Sequence, residues 1–171
     1  MTELLDPPDL EAVTNAFLAA DVTFVVIGGF AVIVNRFIRA TKDVDLLVPD
    51  DPDNDRSVLA ALRSLNSVRY RDNAPLRDEH LLDQTHLRAT TSAGVVDIMR
   101  GGLPPLDFAT VRERAIEANM GTGLFYVASL ASIVGFKRLA GRPQDRNDLI
   151  GLTGIHGELP IDPIPGLDID T

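Results

Sequence analysis

Val26-Ile27-Gly28-Gly29-Phe30-Ala31, followed after a short helix-like segment by Arg39-Ala40-Thr41-Lys42-Asp43-Val44-Asp45-Leu46-Leu47-Val48, decides how the rest of the chain reads. An apolar run ends in two glycines, and two aspartates then alternate with apolar residues. If Asp43 to Val48 is a strand, side chains two apart share a face. Asp43 and Asp45 then hold two carboxylates side by side while Val44 and Leu46 turn to the core. Hard divalent cations such as Mg²⁺ need oxygen ligands arranged in this way. Backbone amides around a Gly-Gly that opens a helix can approach a phosphate closely, because no side chain intervenes and the helix start attracts anions. The two features in one unit imply phosphoryl or nucleotidyl transfer.

Around this unit the chain alternates helical and strand patterns. Asp9 to Ala20 has apolar residues at helical spacing, Thr23 to Ile27 reads as a short buried strand, and a helix from Gly28 runs to about Arg36. Asp43 to Val48 is the second strand. The stretch Pro49 to Asp55 reads as an acidic loop before a helix over about Arg56 to Leu65, and Val68 to Arg71 as a further strand. Thr85 to Thr90 and Gly94 to Met99 form a hairpin pattern around Thr91-Ser92-Ala93. A helical turn over Phe108 to Arg114 and short strands near Ile116 and over Leu124 to Val127 follow. Ser129 is placed to cap an apolar helix, Leu130 to Ala140, which Gly141 ends; Pro143 opens another reaching about Leu152. The expected organisation is a single domain over residues 1–156 and an acidic, proline-rich tail over 157–171, irregular or partly disordered.

A third acid strengthens the pattern. Asp97 lies in Val95-Val96-Asp97-Ile98-Met99, and a charge in the middle of a buried strand is costly unless it is paired or binds metal. If this strand neighbours Asp43 to Val48, Asp97 completes a triad. It can then serve as metal ligand or as base toward an incoming hydroxyl. The bland alternative is a pair with Arg88 or Arg100. Lys137, one of two lysines against fourteen arginines, sits on a helix that is apolar nearly all round, so its charge wants a partner. It is either a phosphate ligand or a lysine that snorkels at a helix end.

Composition narrows the classes. The chain has no cysteine, which excludes disulfides, zinc–thiolate sites and cysteine nucleophiles. No apolar run approaches the roughly 18 residues of a membrane span, and the acidic N-terminus is unlike a signal peptide; a cytoplasmic protein away from membranes is expected. The net charge of −9 is concentrated at the ends: residues 1–11 hold four acids and residues 157–171 four more, all unopposed. Setting these aside leaves 17 acids against 16 bases, so the body is almost neutral. No broad basic groove of the kind that tracks a nucleic-acid backbone is evident. Asp50, Asp51, Asp53 and Asp55 lack the glycine and final glutamate of a calcium loop. His80, His86 and His156 show no metal spacing and read as ordinary surface or hairpin residues. Asp145 and Asp148, near a helix start, are favoured as structural acids.

The block Gly28-Gly29, thirteen residues, then Asp43-x-Asp45, with Arg39-x-Thr41 just before it, resembles the signature of the DNA-polymerase-beta-like nucleotidyltransferase superfamily. Lys137-Arg138-Leu139-Ala140-Gly141-Arg142-Pro143-Gln144-Asp145 with Asp148 resembles the C-terminal motif of its small bacterial branch, which includes minimal nucleotidyltransferases and abortive-infection toxins. The resemblance spans roughly residues 20–150. It implies an α/β (α+β) nucleotidyltransferase fold, a mixed sheet flanked by helices, with C-terminal helices packing near the active site. It further implies an NTP substrate, ATP among the candidates, and two Mg²⁺ ions (or Mn²⁺) on Asp43, Asp45 and Asp97. Gly28, Gly29, Arg39, Thr41 and Lys137 would bind the nucleotide. The acceptor hydroxyl is left open among a tRNA 3′ end, a protein side chain and a small molecule. A cognate antitoxin partner belongs to the toxin setting, and a non-catalytic nucleotide- or partner-binding module on the same fold is the alternative. Many relatives carry a glycine shortly before Arg-x-Thr, where this chain has Arg36-Phe37.

Overall fold

The computed structural model describes residues 6–82, 84–121 and 123–168; Glu3 and Asp170, counted above among the terminal acids, lie outside them. The elements in chain order are α1 (Leu10–Ala19), β1 (Val25–Ile27), α2 (Gly28–Val34), β2 (Asp43–Val48), α3 (Pro52–Ser64), β3 (Val68–Arg69), β4 (His86–Thr91), β5 (Gly94–Arg100), α4 (Phe108–Arg114), β6 (Ile116–Asn119), β7 (Leu124–Val127), α5 (Leu130–Ala140) and α6 (Pro143–His156). The strands form one mixed sheet in the order β3-β4-β5-β2-β1-β7-β6. β2 runs parallel to β5 and antiparallel to β1, and β1 runs parallel to β7. This is the mixed sheet flanked by helices that the sequence implied. No helix among the described residues is long and apolar enough to cross a membrane.

Helix starts follow their capping residues. Asp9, Asp107 and Ser129 each accept a hydrogen bond from a backbone amide of the first turn, which satisfies donors a helix start leaves free. α3 begins earlier than its apolar spacing predicts. Asp51 caps it by accepting from the Asp53 amide, and Pro52 occupies the first helical position, where its missing N–H costs nothing. Asp53 and Asp55 thus belong to a first helical turn instead of a loop. Asp55 is fully buried and receives Arg100, whose Nε lies 2.9 Å from Oδ2.

The core fills the sheet interior with Val25, Val26, Val44, Leu46, Leu47 and Ile98, against Phe17 and Val13 of α1 and Leu59 and Leu62 of α3. Beyond Gly157 the chain is irregular, yet Ile164 is buried and Arg138 pairs with Asp168, so the described part of this tail lies against the body.

The β4–β5 connection fixes what reaches the site. The loop is the two residues Ser92-Ala93, with Thr91 opposite Gly94. Thr91 Oγ1 donates to the Gly94 carbonyl and accepts from the Ala93 amide. With a two-residue loop, Asp97 stands opposite Arg88; a three-residue loop from Thr90 to Gly94 would place it opposite Leu87. A slip of one residue exchanges the faces of a strand.

Candidate active site

The parallel pairing of β2 with β5 sets Asp45 beside Asp97, and Asp43 lies two residues earlier on the same face. Oxygen atoms of the three carboxylates come within 4.8 Å of one another. Asp45 is largely enclosed. Burial first, and then the charges of Asp43 and Asp97, push its carboxyl up to about 7. Asp43 is raised by the same two causes, burial ahead of the Asp97 charge. Asp97 goes the other way: burial works to raise it, but the contact with His86 and the charge of Arg88 outweigh that and hold it below the usual carboxylate range.

Those two bases arrive from β4. Arg88 Nη1 donates to Asp97 Oδ2 at 3.0 Å, and Nη2 lies 3.5 Å from Asp43 Oδ2. His86 Nε2 stands 3.3 Å from Asp97 Oδ1, an ion pair when the imidazole is protonated, and that buried oxygen accepts no hydrogen bond of good geometry. The pair of Asp97 with Arg88 and its place in the acidic triad therefore coexist. His86, read from the sequence as an ordinary hairpin residue, joins the site, and its imidazole is raised chiefly by Asp97. The hairpin register was the signal that identifies it, because His86 and Arg88 are two apart on one strand.

Gly28 and Gly29 are where expected, at the junction of β1 and α2, and the structure gives a packing reason for both. Gly28 adopts φ +65°, and a Cβ there would overlap the Asp45 carboxylate. A Cβ on Gly29 would overlap Thr41 Oγ1. The glycines let the start of α2 close on the acidic strand, which leaves their backbone beside the carboxylates. Thr41 Oγ1 donates to the Asp43 carbonyl at 3.2 Å, tying the loop to the strand entry.

α5 and α6 supply the opposite wall. Lys137 is buried, and its Nζ lies 2.9 Å from both Asp145 Oδ1 and Asp148 Oδ2. Asp148 also binds Arg39, whose Nε is 2.7 Å from Oδ1, and accepts from Gln144 Nε2 at 2.9 Å. Asp145 receives the Arg142 Nε at 2.8 Å and the Arg142 backbone amide at 3.0 Å. Burial opposes ionisation of Asp145, but hydrogen bonds from Arg142 and Lys137 prevail and pull its carboxyl down to about 2. Asp148 is lowered in the same manner, by Lys137, Arg39 and Gln144 against burial.

All eight residues singled out from the sequence (Gly28, Gly29, Arg39, Thr41, Asp43, Asp45, Asp97 and Lys137) line one cleft of about 610 Å³, together with His86, Arg88 and Arg142. The donor set fits a hard divalent cation: three carboxylates, no soft ligand, excess negative charge, and a buried Asp97 oxygen that accepts no hydrogen bond.

Residues 9–162 match the sequence profile of a family described as nucleotidyltransferases of unknown function, DUF6036. The chain belongs to that family. The match covers the acidic strands, the glycine pair and the α5–α6 wall of this nucleotidyltransferase. Its fold is also that of two solved antibiotic-modifying proteins. The antibiotic-resistance factor ANT(2″)-Ia, in complex with adenylyl-2″-tobramycin, is similar over 86% of this chain and 87% of its own, with TM-score 0.59 and 13% identity. The lincosamide antibiotic adenylyltransferase LnuA, bound to lincomycin, is similar over 88% of this chain and 99% of its own, with TM-score 0.59 and 15% identity. At these identities the likeness establishes the fold. Among curated protein sequences none matches.

Proposed function

We propose that this nucleotidyltransferase moves a nucleoside monophosphate from an NTP to an acceptor hydroxyl, with Asp43, Asp45 and Asp97 as the catalytic acids. One observation carries the reading: three carboxylates from two adjacent strands converge at the glycine pair, in the cleft that also holds Arg39, Lys137 and Arg142. Asp43, Asp45 and Asp97 would hold one or two divalent ions, Mg²⁺ first and Mn²⁺ as the alternative; when bound, these supply charge neutralisation at the phosphates and the leaving pyrophosphate. Gly28 and Gly29 offer backbone amides to the phosphates. Asp148 holds Arg39 toward the cleft, and Asp145 does the same for Arg142. Lys137 contributes through the two acids it joins and through its charge near Asp45. Asp97, at the edge next to His86 and Arg88, takes the proton of the acceptor hydroxyl as that oxygen attacks the α-phosphorus and pyrophosphate departs.

A tRNA 3′ end, a protein hydroxyl and a small molecule remain the acceptor classes. The antibiotic enzymes of similar fold favour the last, and the resemblance of the Lys137–Asp148 block to toxin sequences favours the first two, with an antitoxin as partner. The deciding experiment incubates the protein with Mg²⁺ and each α-³²P-labelled NTP, separately with total tRNA, with cell lysate and with no acceptor. Label on RNA or protein that disappears in Asp45→Asn establishes transfer and names the acceptor class. Label that persists in both Asp43→Asn and Asp45→Asn removes the assignment.

A further inference from the structure

Arg88 is unlike the other cations of the cleft. Lys137, Arg39 and Arg142 pair with Asp145 and Asp148, whereas Arg88 pairs directly with acids that would ligate metal. Its guanidinium lies 3.0 Å from Asp97 and 3.5 Å from Asp43. It is also held there. The sheet register sets Arg88 opposite Asp97, the Tyr70 ring covers the guanidinium at 4.4 Å, and the Tyr70 amide donates to the Arg88 carbonyl at 3.1 Å. A guanidinium stacked on an aromatic ring and forked onto two carboxylates has little freedom to leave. Its Nε is buried and has no hydrogen-bond partner, so the side chain is fixed by the ring and the acids alone.

We propose that Arg88 is a resident competing cation of the metal site: it draws Asp43 and Asp97 together, and it keeps the intrinsic affinity of the triad for a divalent ion low. The inference rests on the metal-binding role assigned above to Asp43, Asp45 and Asp97. An ion bound to these carboxylates lies within a few ångströms of a fixed positive charge, and unit charges at that range repel strongly even at the effective dielectric of a protein surface. Removing the charge therefore has two effects of opposite sense. Asp43 and Asp97 lose their shared partner, so the metal-free fold weakens; the same acids, no longer sharing their oxygens, bind a divalent ion more tightly.

The test is Mn²⁺ binding to the full chain, followed by electron paramagnetic resonance of the free ion, with thermal melting in EDTA alongside. Arg88→Gln is expected to tighten Mn²⁺ binding by about tenfold while lowering the EDTA melting temperature by a few degrees, on the order of 1 kcal/mol of stability in a domain of this size. Arg88→Lys retains the charge and is expected to bind Mn²⁺ within about threefold of the parent. Arg88 acting only to shape the site predicts the reverse: Arg88→Gln would bind Mn²⁺ more weakly as the acids spread. Equal or weaker binding in Arg88→Gln overturns the proposal, as does binding in Arg88→Lys as tight as in Arg88→Gln. Asp45→Asn separates this failure from that of the metal site itself. If Asp45→Asn leaves Mn²⁺ binding intact, the ligand assignment fails; if it removes binding and Arg88→Gln has no effect, only the role of Arg88 fails.

Discussion

Two groups of aspartates meet at the cleft under different electrostatic conditions, Asp145 lining it and Asp148 fully buried. Asp145 and Asp148 are buried among Lys137, Arg39, Arg142 and Gln144, and both are lowered despite burial. Asp43 and Asp97 share Arg88, His86 stands beside Asp97, which is lowered, and Asp45, crowded by the other two acids, is pushed up to about 7. Buried acids matched by cations are part of the scaffold. Three crowded acids, two of them sharing one arginine, are costly to the fold, and proteins keep such costs where a ligand relieves them. The difference supports the proposed division into structural and chemical aspartates, which residue type alone cannot make.

The sharpest way to test that contrast is to neutralise one acid from each group. Asp45→Asn is expected to reduce nucleotidyl transfer by at least about 10³-fold, since metal-borne charge stabilisation is worth several kcal/mol. It should at the same time raise the melting temperature in EDTA at pH 8. Asp148→Asn is expected to lower the melting temperature under the same conditions, because Lys137 and Arg39 lose a shared partner. Equal melting shifts of one sign in the two variants would erase the distinction.

Lys137→Met attacks the satisfied group from the cation side. It leaves Asp145 and Asp148 buried with less compensation, and breaking such a pair typically costs about 3–5 kcal/mol. Urea unfolding measures the loss. The triple variant Lys137→Met, Asp145→Asn, Asp148→Asn should recover part of it, because the stranded charges are gone. No recovery would mean that Lys137 acts through packing of its stem rather than through charge.

Asp145 and Asp148 on one side and Asp45 on the other predict opposite limbs of a stability–pH profile. Asp145 and Asp148 titrate lower in the folded protein than in the unfolded chain. Their contribution is present above the unfolded value near 3.8; that of Asp145 is lost as pH falls toward about 2, and that of Asp148 is lost on the same acid side. Asp45 titrates higher when folded, so in EDTA stability is lost as pH rises from about 3.8 through about 7. Urea midpoints measured from pH 3 to pH 8 should therefore pass through a maximum on the acid side of neutrality. Asp45→Asn should flatten the upper limb and leave the lower one in place.

Most of this arrangement was legible in residue order, and what was not can be located. The strand Asp43 to Val48, its alternating aspartates and the glycine pair follow from period-two patterning and local chemistry, and the structure keeps their boundaries. Asp97 was legible as a charge inside an apolar strand. The parallel pairing that sets it beside Asp45 is a long-range contact that no local pattern encodes. His86 was overlooked because its place depends on whether the hairpin loop has two residues or three. The start of α3 was set four residues late because acids and a proline resemble a loop, although Asp51 and Pro52 are equally a helix cap and first turn. For Lys137 the sequence left two readings, phosphate ligand or snorkelling end. The structure shows a buried lysine bridging two acids eight and eleven positions further on, on a different helix.

The smallest effect expected lies in the loop that joins the two acidic groups. Residues 35–42 carry Arg39 to Asp148 at one end of the contrast and Thr41 to the Asp43 backbone at the other. The loop begins where α2 ends, and that end has the hydrogen bonds of a Schellman turn: the Arg36 amide donates to the Ile33 carbonyl, and the Phe37 amide to the Val32 carbonyl. Such a turn requires a left-handed residue just past the cap, usually glycine, and here Arg36 occupies it at φ +81°. This is the stretch in which many relatives of the wider superfamily carry a glycine. An L-residue in that region costs about 1–2 kcal/mol, partly offset by the extra entropy glycine loses on folding. Arg36→Gly should therefore stabilise the protein by about 0.5–1 kcal/mol in urea unfolding. Transfer activity and Mn²⁺ affinity should stay at parental values, since the turn keeps its hydrogen bonds and Arg39 its partner. A gain in stability accompanied by a loss of activity would show instead that strain at Arg36 helps hold Arg39 and Thr41 between the two groups of acids.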